Sequence, residues 1–194
     1  MYRYFLILLF STPIIVQAQD NTGIEEESET LFSQLESFSV MGGFMLDFSN
    51  VQQDIQVASG GGGAVILNKQ LYLGAYGLGF SGVPQANNRE LDYKHGGFWL
   101  GYIFNPKKLV HFNADLQLGW GNLTYYESDG TQLLKDNVFV INPALVAEMN
   151  ITSWLRFQTR LGYRINTGLT DSEFTNSSFS SPNLMLTVLA GWFD

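Results

Sequence analysis

Three arginines recur at intervals of four residues in the second half of the chain, and three acids occupy similar positions in other segments. In an extended strand this spacing places all three arginines on one face, in a stripe of about 27 Å at about 3.3–3.4 Å per residue. Such a stripe would line a path for anions or form an internal salt-bridge network, because arginine pairs well with carboxylates and buried charges require pairing. We predict the network. Its members are Asp47, Asp115, Glu148, Arg156, Arg160 and Arg164.

The two histidines, His95 and His111, offer little catalytic geometry. His111 and Asp115 share a strand face but lie about 13 Å apart along it, too far for a dyad or a shared metal ion. His95 falls near the end of one predicted strand and Ser81 near the end of its neighbour. Some barrel enzymes that modify lipid A place a histidine and a serine near that level. We nevertheless predict structural histidines, with no catalytic residue, metal site or cofactor.

Four consecutive glycines, 60–63, follow Ser59 but do not fit a phosphate-binding loop, since both the GxGxxG and GxxxxGK[ST] spacings are missing and no helix follows. Glycines within a strand mark close packing or a bulge. We expect these glycines to make room for a large inward side chain from across the barrel.

The composition limits the class of protein. The 194 residues include no cysteine and carry 18 acids against 10 bases, which excludes a disulfide scaffold and argues against nucleic-acid binding. Residues 1–18 combine Arg3 with a short apolar run and end in Val-Gln-Ala, as in a secretory signal peptide. Residues 19–37 form an acidic leader, either a short amphipathic helix or a disordered segment.

The body, residues 38–194, alternates apolar and polar residues in segments of about ten or more residues, the two-residue period of strands. Tight turns alternate with longer polar connections at 50–56, 81–91, 127–137 and 167–182. This pattern predicts an all-β fold, an eight-stranded antiparallel up-and-down barrel. Pro143 suggests a bulge within its strand. The predicted strands are 38–49, 57–67, 71–80, 92–104, 109–125, 138–149, 154–166 and 183–193.

Alternation alone leaves two barrels open. In a secreted, soluble lipocalin-like barrel the apolar face would line a ligand cavity; in an outer-membrane barrel it would meet lipid. The polar face carries glycines and a balanced set of acids and arginines, which suits the confined interior of eight strands. We therefore predict the membrane form. The sequence leaves two registers open for the last strand. The lipid side carries either Leu184, Leu186, Val188 and Trp192 or Met185, Leu189 and Phe193.

Aromatic residues concentrate near both ends of the predicted strands, as in the aromatic girdles of membrane barrels. The predicted girdle comprises Tyr102, Phe104, Trp192 and Phe193 near the tight turns and chain end, and Tyr125 and Tyr126 near the longer connections.

On these features the body resembles the small eight-stranded outer-membrane barrels of the OmpA/OmpX type. The aromatic pair Trp192-Phe193 resembles their C-terminal insertion signal, although Asp194 follows it. Residues 96–121 (GGFWLGYIFNPKKLVHFNADLQLGWG) and 154–168 (WLRFQTRLGYRINTG) are similar to uncharacterised barrel proteins of Bacteroidota.

The resemblance implies an outer-membrane location with both termini in the periplasm. We predict a non-enzymatic structural or accessory protein that contacts outer-membrane lipid and protein partners through its loops and leader. A soluble ligand-binding barrel, a lipid-modifying enzyme and a narrow anion pore remain alternatives.

Overall fold

The computed structural model describes residues 37–51, 54–85, 89–127, 129–169 and 175–193. Eight strands pair antiparallel with their sequence neighbours, and β8 pairs with β1 to close the barrel. The predicted eight-stranded antiparallel barrel is therefore confirmed. The elements are β1 (Phe38–Val51), β2 (Asp54–Leu67), β3 (Leu71–Gln85), β4 (Arg89–Phe104), β5 (Val110–Glu127), β6 (Gln132–Asn150), β7 (Leu155–Thr167), the short helix α1 (Asn176–Phe179) and β8 (Ser181–Trp192).

β1 begins at Phe38, the predicted start of the body. The predicted signal peptide, residues 1–18, and the acidic leader as far as residue 36 lie outside the described residues. Among the described residues, no helix has the length and apolar character needed to cross a membrane.

The two-residue period of the sequence becomes the two faces of the barrel wall. Phe112, Leu145 and Leu161 face outward with 65, 71 and 64% of their surface exposed, whereas Arg160 faces inward and is 1% exposed. In β8 the ambiguous register is resolved: Leu184, Leu186, Val188 and Trp192 face outward, and Met185 and Leu189 are buried inside. The apolar face thus covers the outside of the barrel.

One end of the barrel, which we call the short-turn end, carries the connections 68–70, 105–109 and 151–154. Asn68, Lys69 and Asn105 adopt positive φ angles of 51°, 60° and 54°. Asparagine tolerates this left-handed conformation better than most residues, so Asn68 and Asn105 allow the chain to reverse within a few residues. Ser37 joins this end, since its carbonyl accepts a hydrogen bond from the Asn68 N–H at 3.0 Å.

The opposite end, the hairpin end, differs from the prediction in three connections. In the predicted connection 50–56, β1 extends to residue 51 and β2 begins at residue 54. Strand pairing continues into the predicted loops 81–91 and 127–137, because β3 extends to residue 85 and β6 begins at residue 132. The β3–β4 pairing shifts register between Phe80 and Val83, where Gly82 has a φ of 67° and donates its N–H to Asp92 at 2.8 Å. The described parts of these connections are therefore paired strand rather than long irregular loop.

At the same end, the described residues of the connection between β7 and β8 pack onto the barrel. Phe179 of α1 is completely buried and Leu169 nearly so, and both belong to the apolar cluster inside this end. The carbonyl of Phe179 accepts hydrogen bonds from Asn166 and Arg164 of β7. The described part of this connection therefore closes the hairpin end.

Pro143 does not produce the predicted bulge. The β6–β7 register is the same on both sides of it, with Ile141 opposite Ile165 and Ala144 opposite Gly162, so no extra residue is inserted. The pairing instead lapses at residues 142 and 143, as expected where proline supplies no N–H. The carbonyl of Asn142 accepts a hydrogen bond from Arg160 inside the barrel, at 2.7 Å.

Two apolar clusters fill the interior beside the charged side chains. One lies toward the hairpin end and the other toward the short-turn end. The first contains Val51, Leu91, Tyr93, Leu123, Tyr125, Val138 and Phe179, among others. The second contains Met41, Met45, Ile66, Tyr72, Tyr76, Trp99, Ile103, Met185 and Leu189, among others.

Candidate functional site

The inward face of β7 carries the three arginines, each about 13 Å from the next along the strand. Because of this separation, each arginine meets an acid from a different place in the wall. The structure brings all six predicted network residues together as three separate ion pairs: Arg156 with Glu148 of β6, Arg160 with Asp115 of β5, and Arg164 with Asp47 of β1.

Glu148 is the most heavily bonded of the three acids. Its Oε1 accepts hydrogen bonds from Arg156 Nη1 at 2.7 Å and from the His111 ring at 3.0 Å. Its Oε2 accepts from Asn113 Nδ2 at 2.9 Å and from Gln158 Nε2. The Arg156 guanidinium lies 3.7 Å from the ring centroid of Phe193, a cation–π contact that covers its outer side.

Asp115 occupies the centre of the network. Its Oδ1 accepts from Arg160 Nε at 2.7 Å, and its Oδ2 accepts from Tyr72 Oη at 3.2 Å and from Trp99 Nε1 at 3.1 Å. The Tyr72 and Trp99 rings meet edge to face, with centroids 5.3 Å apart. Arg160 adds its bond to the Asn142 carbonyl. Charge and aromatic packing therefore combine at this level.

Asp47 forms the pair nearest the hairpin end. It accepts from Arg164 Nη1 at 3.1 Å and from Asn183 Nδ2 at 2.6 Å. The Arg164 guanidinium lies 5.2 Å from the Tyr93 ring centroid. The three charge clusters are therefore each enclosed by neutral donors or aromatic rings, which offset the cost of removing charges from water. This arrangement fits a filled interior better than an open path for anions.

The predicted aromatic girdle divides between the two faces. Tyr102, Phe104 and Trp192 are exposed on the outer face at the short-turn end, and Tyr126 is partly exposed at the hairpin end. Tyr125 instead is buried in the interior cluster of the hairpin end, because it has the same parity as Leu123. Phe193 also turns inward, onto Arg156 and the short-turn cluster. Tyr125 and Phe193 therefore do not lie on the outer girdle.

The histidines both face the interior. His95 is buried and its Nδ1 lies 3.1 Å from Tyr76 Oη, whereas Ser81 is exposed. His95 and Ser81 both border a depression of about 610 Å³ in the wall. His111 bonds Glu148 and the Lys108 carbonyl rather than Asp115. Among the residues that the structure describes, no group of three or more His, Asp or Glu side chains could hold a metal ion.

The glycines at 60–63 make room for neighbouring strands and not, as predicted, for a side chain from across the barrel. A Cβ added to Gly62 would lie 3.0 Å from Met45 Cε of β1 and 3.2 Å from Tyr76 Cβ of β3. Gly62 is paired directly with Tyr76 in the β2–β3 ladder. The missing side chain therefore lets adjacent inward side chains approach the wall.

Sequence reasoning missed the neutral partners of the charges. The two-residue alternation of β5 already predicted that His111 and Asn113 lie on the inward face. Their hydrogen bonds to Glu148 could not be predicted from the sequence, because these bonds depend on the pairing of His111 with Glu148 across the β5–β6 ladder. Trp99 shares the parity of the glycines at 97 and 101, but nothing in the sequence marks it or Tyr72 as a partner of Asp115.

Comparisons with solved structures support the same architecture. The barrel is similar to the N-terminal β-barrel domain of Pseudomonas aeruginosa OprF, with 14% identity, a TM-score of 0.59, and coverage of 82% of this chain and 100% of that chain. It is also similar to Neisserial surface protein A, with 11% identity, a TM-score of 0.53, and coverage of 81 and 97%.

A third similar structure is Ail, the attachment invasion locus protein of Yersinia pestis, solved in complex with the heparin analogue sucrose octasulfate. It shares 12% identity and a TM-score of 0.50, with coverage of 80% of this chain and 97% of that chain. No family model and no curated protein matches the sequence. At these identities the likeness concerns the fold, a small eight-stranded barrel of the kind found in outer membranes.

Proposed function

We propose that this chain is a non-enzymatic β-barrel of the bacterial outer membrane, with a closed, salt-bridged interior, that serves as a structural, accessory or surface-contact protein. One observation carries the membrane assignment: large apolar side chains cover the outside while ion pairs fill the inside. A soluble protein rarely exposes so extensive an apolar surface, whereas a membrane barrel requires it. The similar solved structures support the same location.

The orientation follows from the length of the connections. Membrane barrels have short turns on the periplasmic side and longer connections outside the cell. Ser37 and Phe193, the first and last described residues, both lie at the short-turn end of this barrel. We therefore place both termini in the periplasm, together with the acidic leader. Membership of Bacteroidota, suggested by residues 96–121 and 154–168, stays a prediction.

Two hairpins, β3–β4 and β5–β6, are the parts of the hairpin end best placed to meet extracellular partners. The β7–β8 connection contributes less than the sequence suggests, because Phe179 and Leu169 are buried in the barrel. The acidic leader is the proposed periplasmic contact. These contacts with lipid and protein partners, and the absence of a cofactor, are parts of the proposal.

Membrane fractionation tests the location. We expect the protein in the outer-membrane fraction, resistant to salt and alkaline washes and released only by detergent. Release into buffer without detergent would favour the soluble lipocalin-like barrel. A pull-down in mild detergent then tests the accessory role. Removal of residues 20–37 should abolish capture of a periplasmic partner while leaving barrel assembly intact, and unchanged capture would refute the leader's role.

The remaining alternatives make separate predictions. A narrow anion pore would give currents in planar bilayers that change when Arg160 is replaced, but the pairing of all three arginines and the buried Phe179 argue against it. A lipid-modifying enzyme would lose activity in His95→Ala, with an altered lipid profile in cells. The Tyr76 hydroxyl that contacts His95 supports a structural role instead.

A further inference from the structure

The short-turn end contains a cleft of about 420 Å³ that the charge network does not explain. Three turns and the end of β8 enclose it, so its wall comes from segments far apart in sequence. Lys69 lies on the β2–β3 turn, Lys107 on the β4–β5 turn, Asn150 and Thr152 on the β6–β7 side, and Arg156 and Phe193 form the inner wall.

The cleft is basic. Lys69 and Lys107 supply two positive charges, Arg156 adds a third that Glu148 already pairs, and none of the described residues that line the cleft is an acid. Arg156 is buried and uses Nη1 to bind Glu148, but its Nε, also buried, has no hydrogen-bond partner among the described residues. An unpaired buried donor on a charged group is costly, and a carboxylate oxygen is the acceptor that suits it.

Asn150, which also lines the cleft, holds an acceptor. Asn150 donates through Nδ2 to the carbonyls of Pro106 and Lys108, at 3.1 and 2.9 Å. These two bonds fix the orientation of its amide, and its buried Oδ1 has no partner among the described residues. A ligand that satisfies both Arg156 Nε and Asn150 Oδ1 carries an acceptor, best an anionic one, and a hydrogen-bond donor. A peptide with acidic side chains offers both, a side-chain carboxylate and backbone N–H groups.

The cleft walls are fixed before any ligand binds. Thr152 Oγ1 accepts the N–H of Leu155 at 2.9 Å, and the Thr152 N–H donates to the Leu155 carbonyl at 3.0 Å. The Asn150 N–H donates to the Leu109 carbonyl at 2.9 Å, which ties the β6–β7 turn to the neighbouring one. Preorganised walls reduce the ordering cost of binding.

We propose that this cleft binds an acidic peptide segment, with a carboxylate on Arg156 and the two lysines and a backbone N–H on Asn150 Oδ1. Its volume falls within the range of about 300–1,000 Å³ typical of ligand sites. If the short-turn end faces the periplasm, the peptide belongs to a periplasmic protein; that clause alone rests on the proposed orientation. Binding of the peptide requires only the folded barrel, so it can be measured in any detergent or bilayer in which the barrel stays folded.

The test measures binding of a fluorescent peptide, Gly-Glu-Glu-Glu-Glu-Gly, to the full-length protein in a zwitterionic detergent. We expect saturable binding that weakens with salt, and at least tenfold weaker binding of the matched peptide with glutamine in place of glutamate. The glutamate peptide with N-methylated backbone amides should also bind more weakly, because it cannot donate to Asn150. Equal binding of the glutamate and glutamine peptides would overturn the proposal.

Paired variants locate the site. Lys69→Gln with Lys107→Gln should weaken binding about tenfold, since two exposed ion pairs of up to about fivefold each are lost. Lys108→Gln removes the neighbouring charge outside the cleft and should change binding less than twofold. Equal losses in the two proteins would mean attraction to overall charge and would overturn the site. Displacement by inorganic phosphate at the same concentration as peptide would identify a simple anion site instead.

Discussion

The wall formed by β2, β3 and β4 and the wall formed by β5, β6 and β7 fill one interior by different means. The first, the glycine wall, has several inward positions without side chains and carries large aromatic rings between them. The second, the charged wall, contributes Asp115, Glu148 and the three arginines. Inward glycines of the first include Gly62, Gly74, Gly97 and Gly101, and its rings are Tyr72, Tyr76, Tyr93 and Trp99.

The two walls meet at Asp115. Gly101 leaves space that the Tyr72 ring occupies, since a Cβ on Gly101 would overlap that ring. From this position Tyr72 and Trp99 reach across to the carboxylate that Arg160 also binds. This narrow barrel thus holds a buried carboxylate by pairing it with arginine on one side and with aromatic hydrogen-bond donors on the other. The glycines make room for those donors.

The largest effect is expected on the charged wall. Arg160→Met leaves Asp115 buried without its cation and frees the Asn142 carbonyl, which should lower the free energy of unfolding by about 3–5 kcal/mol. Urea unfolding in lipid vesicles, followed by tryptophan fluorescence, measures it. Lys135→Met, an exposed change on the same wall, serves as control and should shift stability by less than about 0.5 kcal/mol.

The same comparison separates charge from shape. Combining Arg160→Met with Asp115→Leu should recover most of the loss, because replacing both members of a buried pair by apolar groups is often neutral. A double variant as unstable as Arg160→Met would show that the lost bonds of Asn142, Tyr72 and Trp99 outweigh the cost of the unpaired charge.

Substitutions in the glycine wall should destabilise the barrel nearly as much, but through added side-chain volume rather than lost charge pairing. Gly101→Val is expected to lower the free energy of unfolding by about 3 kcal/mol, because the new side chain overlaps the Tyr72 ring. The matched double variant with Tyr72→Ala should be more stable than the sum of the two single losses predicts, since the clash is gone. Strict additivity in urea unfolding would contradict the proposed packing.

The contact between the two walls is expected to contribute less to the free energy of unfolding. Tyr72→Phe keeps the ring but removes its bond to Asp115, so we expect a loss of about 1 kcal/mol in the free energy of unfolding. Arg160 and Trp99 still bind the carboxylate in this variant. A loss as large as that of Arg160→Met would mean that Tyr72, not the arginine, is the main support of Asp115.

The smallest effect is expected on the outer face of the glycine wall. Gly77 faces outward, and a Cβ added to it would meet no atom within 4 Å. Gly77→Ala should therefore raise the free energy of unfolding by about 0.5 kcal/mol, because alanine loses less conformational freedom in a strand. Destabilisation in the same vesicles would show that the outer surface at Gly77 is not free.

Much of this barrel was predictable because its physical signals are local. Alternation over ten or more residues fixes which side chains share a face, so β7 alone predicted that Arg156, Arg160 and Arg164 lie on one face. Their inward direction followed from the glycines and acids on the polar faces of the other strands. The sign balance of the polar face predicted that acids would join them. Asparagine at 68 and 105 marked two of the tight turns.

The rest depends on register between strands, which single segments do not encode. Which acid meets which arginine requires the tilt and stagger of the closed barrel, as does the approach of Tyr72 to Gly101. Local rules also failed where tertiary packing decided the outcome. Tyr125 and Phe193 looked like girdle residues by position but turned inward to fill the two ends, and Pro143 interrupted its ladder without adding a residue.

The buried Phe179 has a consequence for how the exposed surface can vary between related sequences. A connection whose phenylalanine is buried and whose main chain is bonded to β7 shares the constraints of the interior, so changes there are filtered by stability. The hairpin tip around Asp129 and Gly130 is free of that constraint. Sequence divergence, and tolerance of an inserted epitope, should therefore concentrate at the β5–β6 tip rather than at the connection nearest α1.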